Sequence, residues 1–141
     1  MLDAYRDLID ELLETPSAIR GTIDAQREGH AALEVKRLIA AMRDRDRAVL
    51  SRAQTVTRQD APYLRELRLD APMVDESLPE LLEQMETARG NLVSLLINMS
   101  LKDWERPAIH ETDGEITLAD EIEQHVEFDE SVRRRLQELT G

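Results

Sequence analysis
The stretch that decides the fold is Trp104–Glu130, WERPAIHETDGEITLADEIEQHVEFDE. It holds the only Trp, the only Phe and two of the three His in the chain. It reads as a short link after one helix and then the start of the next. Thr117 can accept N–H bonds from the following turn, and Asp120, three residues on, completes an approximate capping box. From there Leu118, Ile122, Val126, Val132, Leu136 and Leu139 recur at helical spacing. Gly114, just before the cap, permits a positive φ. Trp104 can cover the end of a helical core, since a buried indole removes about 150–250 Å² from water.

Working outward, three more helices emerge. Leu2, Tyr5, Leu8, Ile9, Leu12 and Leu13 form one apolar face. "ETPSAI" interrupts it, with Thr15 as a cap and Pro16 opening a new turn. A second helix spans roughly Ala31–Ala53. Its stripe is Val35, Leu38, Ile39, Met42, Val49 and Leu50, with Asp46 inside the stripe and Arg43 and Arg47 on the opposite face. Periodicity fails from Gln54 to Asp75, where Pro62 can start a helical turn through Leu67; such a long connection is uncommon in a compact domain. The third helix is capped by Ser77 and carries Leu78, Leu81, Leu82, Met85, Leu92, Leu95, Leu96 and Met99. No segment alternates polar and apolar residues for long enough to predict a strand. Four long amphipathic helices imply an all-α, up-down four-helix bundle over residues 1–141, a single domain with one long connection between its second and third helices.

Composition narrows the functions. Aromatics are only 3% of the 141 residues, so aliphatic side chains must fill the core, which favours helix packing. The net charge of −12 argues against nucleic acid and against an anionic membrane surface. The chain has no Cys, which excludes thiolate nucleophiles, disulfides and Cys-based zinc sites. No apolar run reaches the ~20 residues of a transmembrane helix, and "MLDAYRDLID" is unlike a signal peptide, so the expected location is cytoplasmic. The serines lack a nucleophile elbow, and no Gly-rich phosphate loop occurs.

The pattern W-x-R-x-x-x-H-x-x-x-G-x-x-T-L, here Trp104, Arg106, His110, Gly114, Thr117 and Leu118, resembles the link before the last helix of DinB-like (YfiT-like) four-helix proteins. "TPSAI", "RDRDRAVL", "DAPYL" and "ARGNLVSLL" resemble other parts of that family in the same order. The resemblance implies a divalent metal held by three His, one in a pattern like H-L-x-D-x-E on the second helix and two in a pattern like H-D-x-x-H on the last. In some relatives that centre supports transfer or isomerisation with a low-molecular-weight thiol. Matching Asp44 and Asp46 to the D-x-E pair and Asp129 to the Asp of H-D-x-x-H places Ala41, Phe128 and Val132 at the ligand positions. These three cannot bind zinc or nickel, and they can fill the vacated space.

Two functional expectations follow. The first is a DinB-like bundle without the metal triad or another cofactor, acting as a small-ligand-binding or protein-interaction module and pairing as a homodimer. The second is a zinc- or nickel-dependent transferase or isomerase with a displaced site. That site would use His125 and Asp129, neighbours at i and i+4 on a helix, with Asp44 or Asp46 from the second helix. His125 and Asp129 could equally be a simple hydrogen-bonded pair. Trp104, Arg106, His110, Gly114 and Thr117 are read as structural.

Overall fold
A computed structural model of the chain describes residues 3–24, 32–68 and 74–140. Helix α1 spans Asp3–Asp24, α2 Ala32–Arg58, α3 Leu78–Ile97 and α5 Leu118–Thr140; α4, Leu101–Trp104, is a single turn. The short strands are β1 Tyr63–Leu64, β2 Pro107–His110 and β3 Gly114–Thr117. Among the described residues no helix is long and apolar enough to cross a membrane. His30, expected from the sequence to be structural or solvent-exposed, lies outside the described residues.

The four long helices form the expected bundle. Helix α1 packs against α3 and α5, and α2 packs against the same two, so α1 and α2 occupy opposite corners. Their directions follow from two separate apolar clusters. Leu12, Val49, Leu92 and Ile122 belong to one, and Ile19, Met42, Met85 and Val132 to the other. Helices α2 and α3 therefore run from the second cluster to the first, and α1 and α5 run the opposite way. Because α2 and α3 are parallel, the chain must cross the length of the bundle between them. The long connection is this crossover: Leu67 packs on the first cluster and Val74 on the second.

Several local expectations need correction. Pro16 does not break the first helix; α1 continues through it. Thr15 donates through Oγ1 to the Glu11 carbonyl at 3.0 Å instead of capping a new turn. The segment after Pro62 is strand β1, not a helical turn. The chain also has strands where none was expected. They escape period-2 detection because β2 alternates exposed and buried over only four residues. Strand β1 pairs parallel to β2, and β2 pairs antiparallel to β3. Arg43, expected on the polar face of α2, is largely buried and donates to Asp44 at 2.9 Å and Gln84 at 2.7 Å.

The small sheet closes the bundle end that holds the first cluster. Trp104 is buried there and stacks on Tyr5 at 4.8 Å between ring centroids. Arg106 donates to the Val56 carbonyl at 2.9 Å, in the last turn of α2. Gly114 has φ +75° at the start of β3, directly after the β2–β3 turn, a conformation that favours glycine. Thr117 Oγ1 accepts from the Asp120 N–H at 3.2 Å, and the Asp120 carboxylate accepts from the Thr117 N–H at 2.9 Å. The Ser77 cap also forms, accepting from the Glu80 N–H.

Candidate functional site
Between the two apolar clusters every long helix turns polar. Helix α1 offers Thr15 between Leu12 and Ile19, and α2 offers Asp46 between Met42 and Val49. Arg89 stands between Met85 and Leu92 on α3, and His125 and Asp129 flank Val126 ahead of Val132 on α5. All five polar residues are buried. The bundle core is thus two apolar layers separated by an ionic one.

Arg89 is the centre of that layer. Its Nε donates to Asp46 Oδ1 at 3.0 Å. Its Nη1 and Nη2 donate to the two Asp129 oxygens, each at 2.8 Å, in a bidentate fork. Nη1 also donates to the Leu12 carbonyl at 2.7 Å. That carbonyl needs an outside donor because its helical partner would be the N–H that Pro16 lacks. Pro16 and Arg89 therefore compensate each other across the core. Burial alone would lower the pKa of Arg89; the hydrogen bonds to Asp129 and the charge of Asp46 outweigh it and raise the value above the ordinary arginine range.

His125 is fully buried, with Nε2 2.6 Å from Asp46 Oδ1. Arg45 Nε donates to its Nδ1 at 3.2 Å, so Nδ1 accepts and Nε2 carries the proton toward Asp46. The Arg45 guanidinium also lies 4.8 Å from the Phe128 ring centroid, a cation–π distance. Burial pushes the pKa of Arg45 below the ordinary value, against the raising effect of Glu121. One helical turn before His125, Glu121 accepts from Arg52 Nε at 2.5 Å. Among the described residues three buried side-chain polar atoms lack a hydrogen-bond partner: Asp46 Oδ2, Arg52 Nη2 and Glu121 Oε2.

The residues singled out in the sequence are thus divided. Asp46, His125 and Asp129 come together, with Arg89 among them. His125 bonds to Asp46, not to Asp129 as a simple i,i+4 pair would have it. Asp44 stays outside, half-buried beside Arg43. Val132 is buried in the second cluster and Phe128 packs against it, while Ala41 is half-buried on α2. His110 is buried in the sheet end, where Nδ1 accepts from the Thr112 and Asp113 N–H groups at 3.1 and 3.2 Å. Trp104 lines a mainly apolar cleft of about 260 Å³ with Tyr5, Ile9, Leu13 and Ile97, to which Arg6 and Asp10 also contribute, and His110 does not take part in it. Arg89 is the residue that sequence reasoning missed. Its place in the apolar stripe, four after Met85 and three before Leu92, was the available sign.

No family model and no curated protein matches the sequence. Among solved structures the chain is similar to YfiT from Bacillus subtilis, described as a probable metal-dependent hydrolase with an unusual four-helix bundle topology. The two share 16% identity with a TM-score of 0.79, over 95% of this chain and 84% of that one. At that identity the likeness speaks for the fold alone, and the chain has a YfiT/DinB-like fold.

Proposed function
We propose that this chain is a YfiT-like bundle in which an internal ion-pair layer stands in place of a metal centre, and that it acts as a binding or interaction protein. One observation carries the reading: both Asp129 oxygens and Asp46 Oδ1 are engaged by the Arg89 guanidinium. A divalent ion needs those lone pairs, and beside a fixed guanidinium it would meet repulsion. The imidazole is engaged as well, with Nε2 2.6 Å from Asp46 Oδ1 and Nδ1 accepting from Arg45. Among the described residues no three His, Asp or Glu side chains are grouped to hold a metal. A displaced transferase or isomerase centre on His125, Asp129 and Asp46 would have to evict Arg89 first. The residues matched from sequence to the metal-ligand positions of the family it resembles, Ala41, Phe128 and Val132, offer no ligand atom.

The cleft between α1 and α3 supplies a surface for binding. Leu13 and Ile97 line it and are 50% and 60% exposed. Metal analysis of protein purified without a metal-affinity tag tests the proposal. The expected result is no stoichiometric transition metal and a melting temperature unmoved by chelator, since a ligand absent from the native state adds no stability. Stoichiometric metal held in the bundle would overturn it. Light scattering over a concentration series tests the homodimer; a monomer throughout would remove that part.

A further inference from the structure
We propose that Arg89 is a built-in cation: its guanidinium fills the position between Asp46, His125 and Asp129, and its removal exposes a latent divalent-metal site of one imidazole and two carboxylates. The inference rests on the reading of the wild-type bundle as metal-free and names the residues that make it so.

Three features of the layer carry it. The first is convergence. Asp46 and Asp129 come from different helices, yet both direct oxygens at one buried guanidinium, and His125 Nε2 reaches the same Asp46 oxygen. Two carboxylates around a single positive group are an arrangement that a cation must hold together, whether that cation is covalent or bound. The second is the orphaned Asp46 Oδ2, fully buried and without a partner. Buried carboxylate oxygens are rarely left so, and this one is a lone pair available to an added ion. The third is the chemistry of the donors. One imidazole nitrogen with carboxylate oxygens suits zinc or cobalt(II), and the surrounding layers exclude water on both sides.

Two locks keep the wild-type site shut. Arg89 occupies the carboxylates. Arg45, by donating to Nδ1, keeps the His125 proton on Nε2, the nitrogen that faces Asp46. Metal binding through Nε2 requires the single imidazole proton to move to Nδ1, so Arg45 must swing away. Arg45 is only half-buried, so it can turn toward solvent, whereas Arg89 is enclosed on every side. Arg89 is therefore the stronger lock. In Arg89→Ala the two carboxylates lose the group that holds them apart and can close on a smaller ion.

The test is cobalt(II) titration of Arg89→Ala, read by the visible absorption of the bound ion, beside wild type and Arg89→Ala/His125→Ala. Arg89→Ala should bind one cobalt per chain, and zinc should displace it. Replacing His125 as well should weaken binding about 10–100-fold or more, since even supporting contacts in metal sites carry that much. Adding Arg45→Gln to Arg89→Ala should tighten binding by freeing Nδ1. If Arg89→Ala does not fold without metal, circular dichroism on adding zinc takes the place of absorption, and helix should return only while His125 is present. Absence of stoichiometric binding in folded Arg89→Ala would overturn the inference, as would binding indifferent to His125 or failure of zinc to restore helix. Wild-type metal content separates the two proposals. Metal in the wild type sinks the metal-free reading, whereas a metal-free wild type beside an unresponsive Arg89→Ala sinks only the latent site.

Discussion

The ionic layer around Arg89 and the apolar layers on either side of it are built on the same four helices, a turn or two apart, yet they constrain the fold differently. In the apolar layers Ile19, Met42, Met85 and Val132, or Leu12, Val49, Leu92 and Ile122, contribute through burial, which is non-directional and tolerates exchange of similar volumes. In the ionic layer each polar side-chain atom except Asp46 Oδ2 has a named partner, and a helix that slid by one turn would leave charges buried and unpaired. Burying charge is costly, and a buried ion pair is weak evidence of net stabilisation. Its contribution here is register: the layer sets which level of α1, α2, α3 and α5 meets which.

That contrast can be broken or sharpened by substitution. The largest effect is expected for Arg89→Met. It leaves Asp46 and Asp129 buried without their cation and should cost about 3–5 kcal/mol in urea unfolding. Converting the whole pair network, with Asp46→Leu and Asp129→Leu added to Arg89→Met, should recover most of that loss. If the triple variant is no better than Arg89→Met, the penalty lies in packing and not in unpaired charge. In an apolar layer, Ile122→Val should cost only about 1 kcal/mol in the same assay, the ordinary result of deleting one buried methylene.

Pro16→Ala should come next, with a gain well below the ~3 kcal/mol expected on removing proline from a helix interior. The Leu12 carbonyl already accepts from Arg89, so a new helical N–H would compete for an acceptor that is taken. A gain near the full value would mean that the Arg89–Leu12 bond contributes little. The smallest effect belongs to the sheet end. The Glu66 backbone N–H donates to the Glu111 carboxylate and holds its pKa below the usual range. A carboxylate depressed on folding adds stability above its unfolded value, about 4.3, and loses it as pH falls through the folded value. Glu111 is exposed, so Glu111→Gln should only slightly flatten the acid limb of a urea-midpoint profile. An unchanged profile would place the acid sensitivity elsewhere.

How far the sequence could be read follows the range of each interaction. The Thr117–Asp120 box, the Ser77 cap and the Gly114 turn were legible because their partners lie within a few residues. Asp46 stood out as an acid in an apolar stripe. Arg89 carried the same sign on α3, but its partners are 40, 43 and 77 residues away, and only the relative level of the helices reveals them. Pro16 misled for the same reason. Local rules place it at the start of a helix, and what makes it tolerable inside α1 is a side chain on α3. The parallel run of α2 and α3 was also beyond local reading, although the long connection was its trace. The strands were too short to display a period. Within the candidate site, His125, Asp129 and Asp46 were found by spacing and stripe position, while the cation that organises them was not.

The most direct measurement is side-chain NMR of the Arg89 guanidinium, comparing hydrogen exchange at its Nε–H with that of exposed Arg47 and repeating the spectrum with one equivalent of zinc. A guanidinium locked between Asp46 and Asp129 predicts an Arg89 Nε–H that exchanges far more slowly than that of Arg47 and does not move when zinc is added. Exchange as fast as at Arg47, or an Arg89 resonance displaced by stoichiometric zinc, would contradict the claim that this arginine occupies the cation position of the bundle.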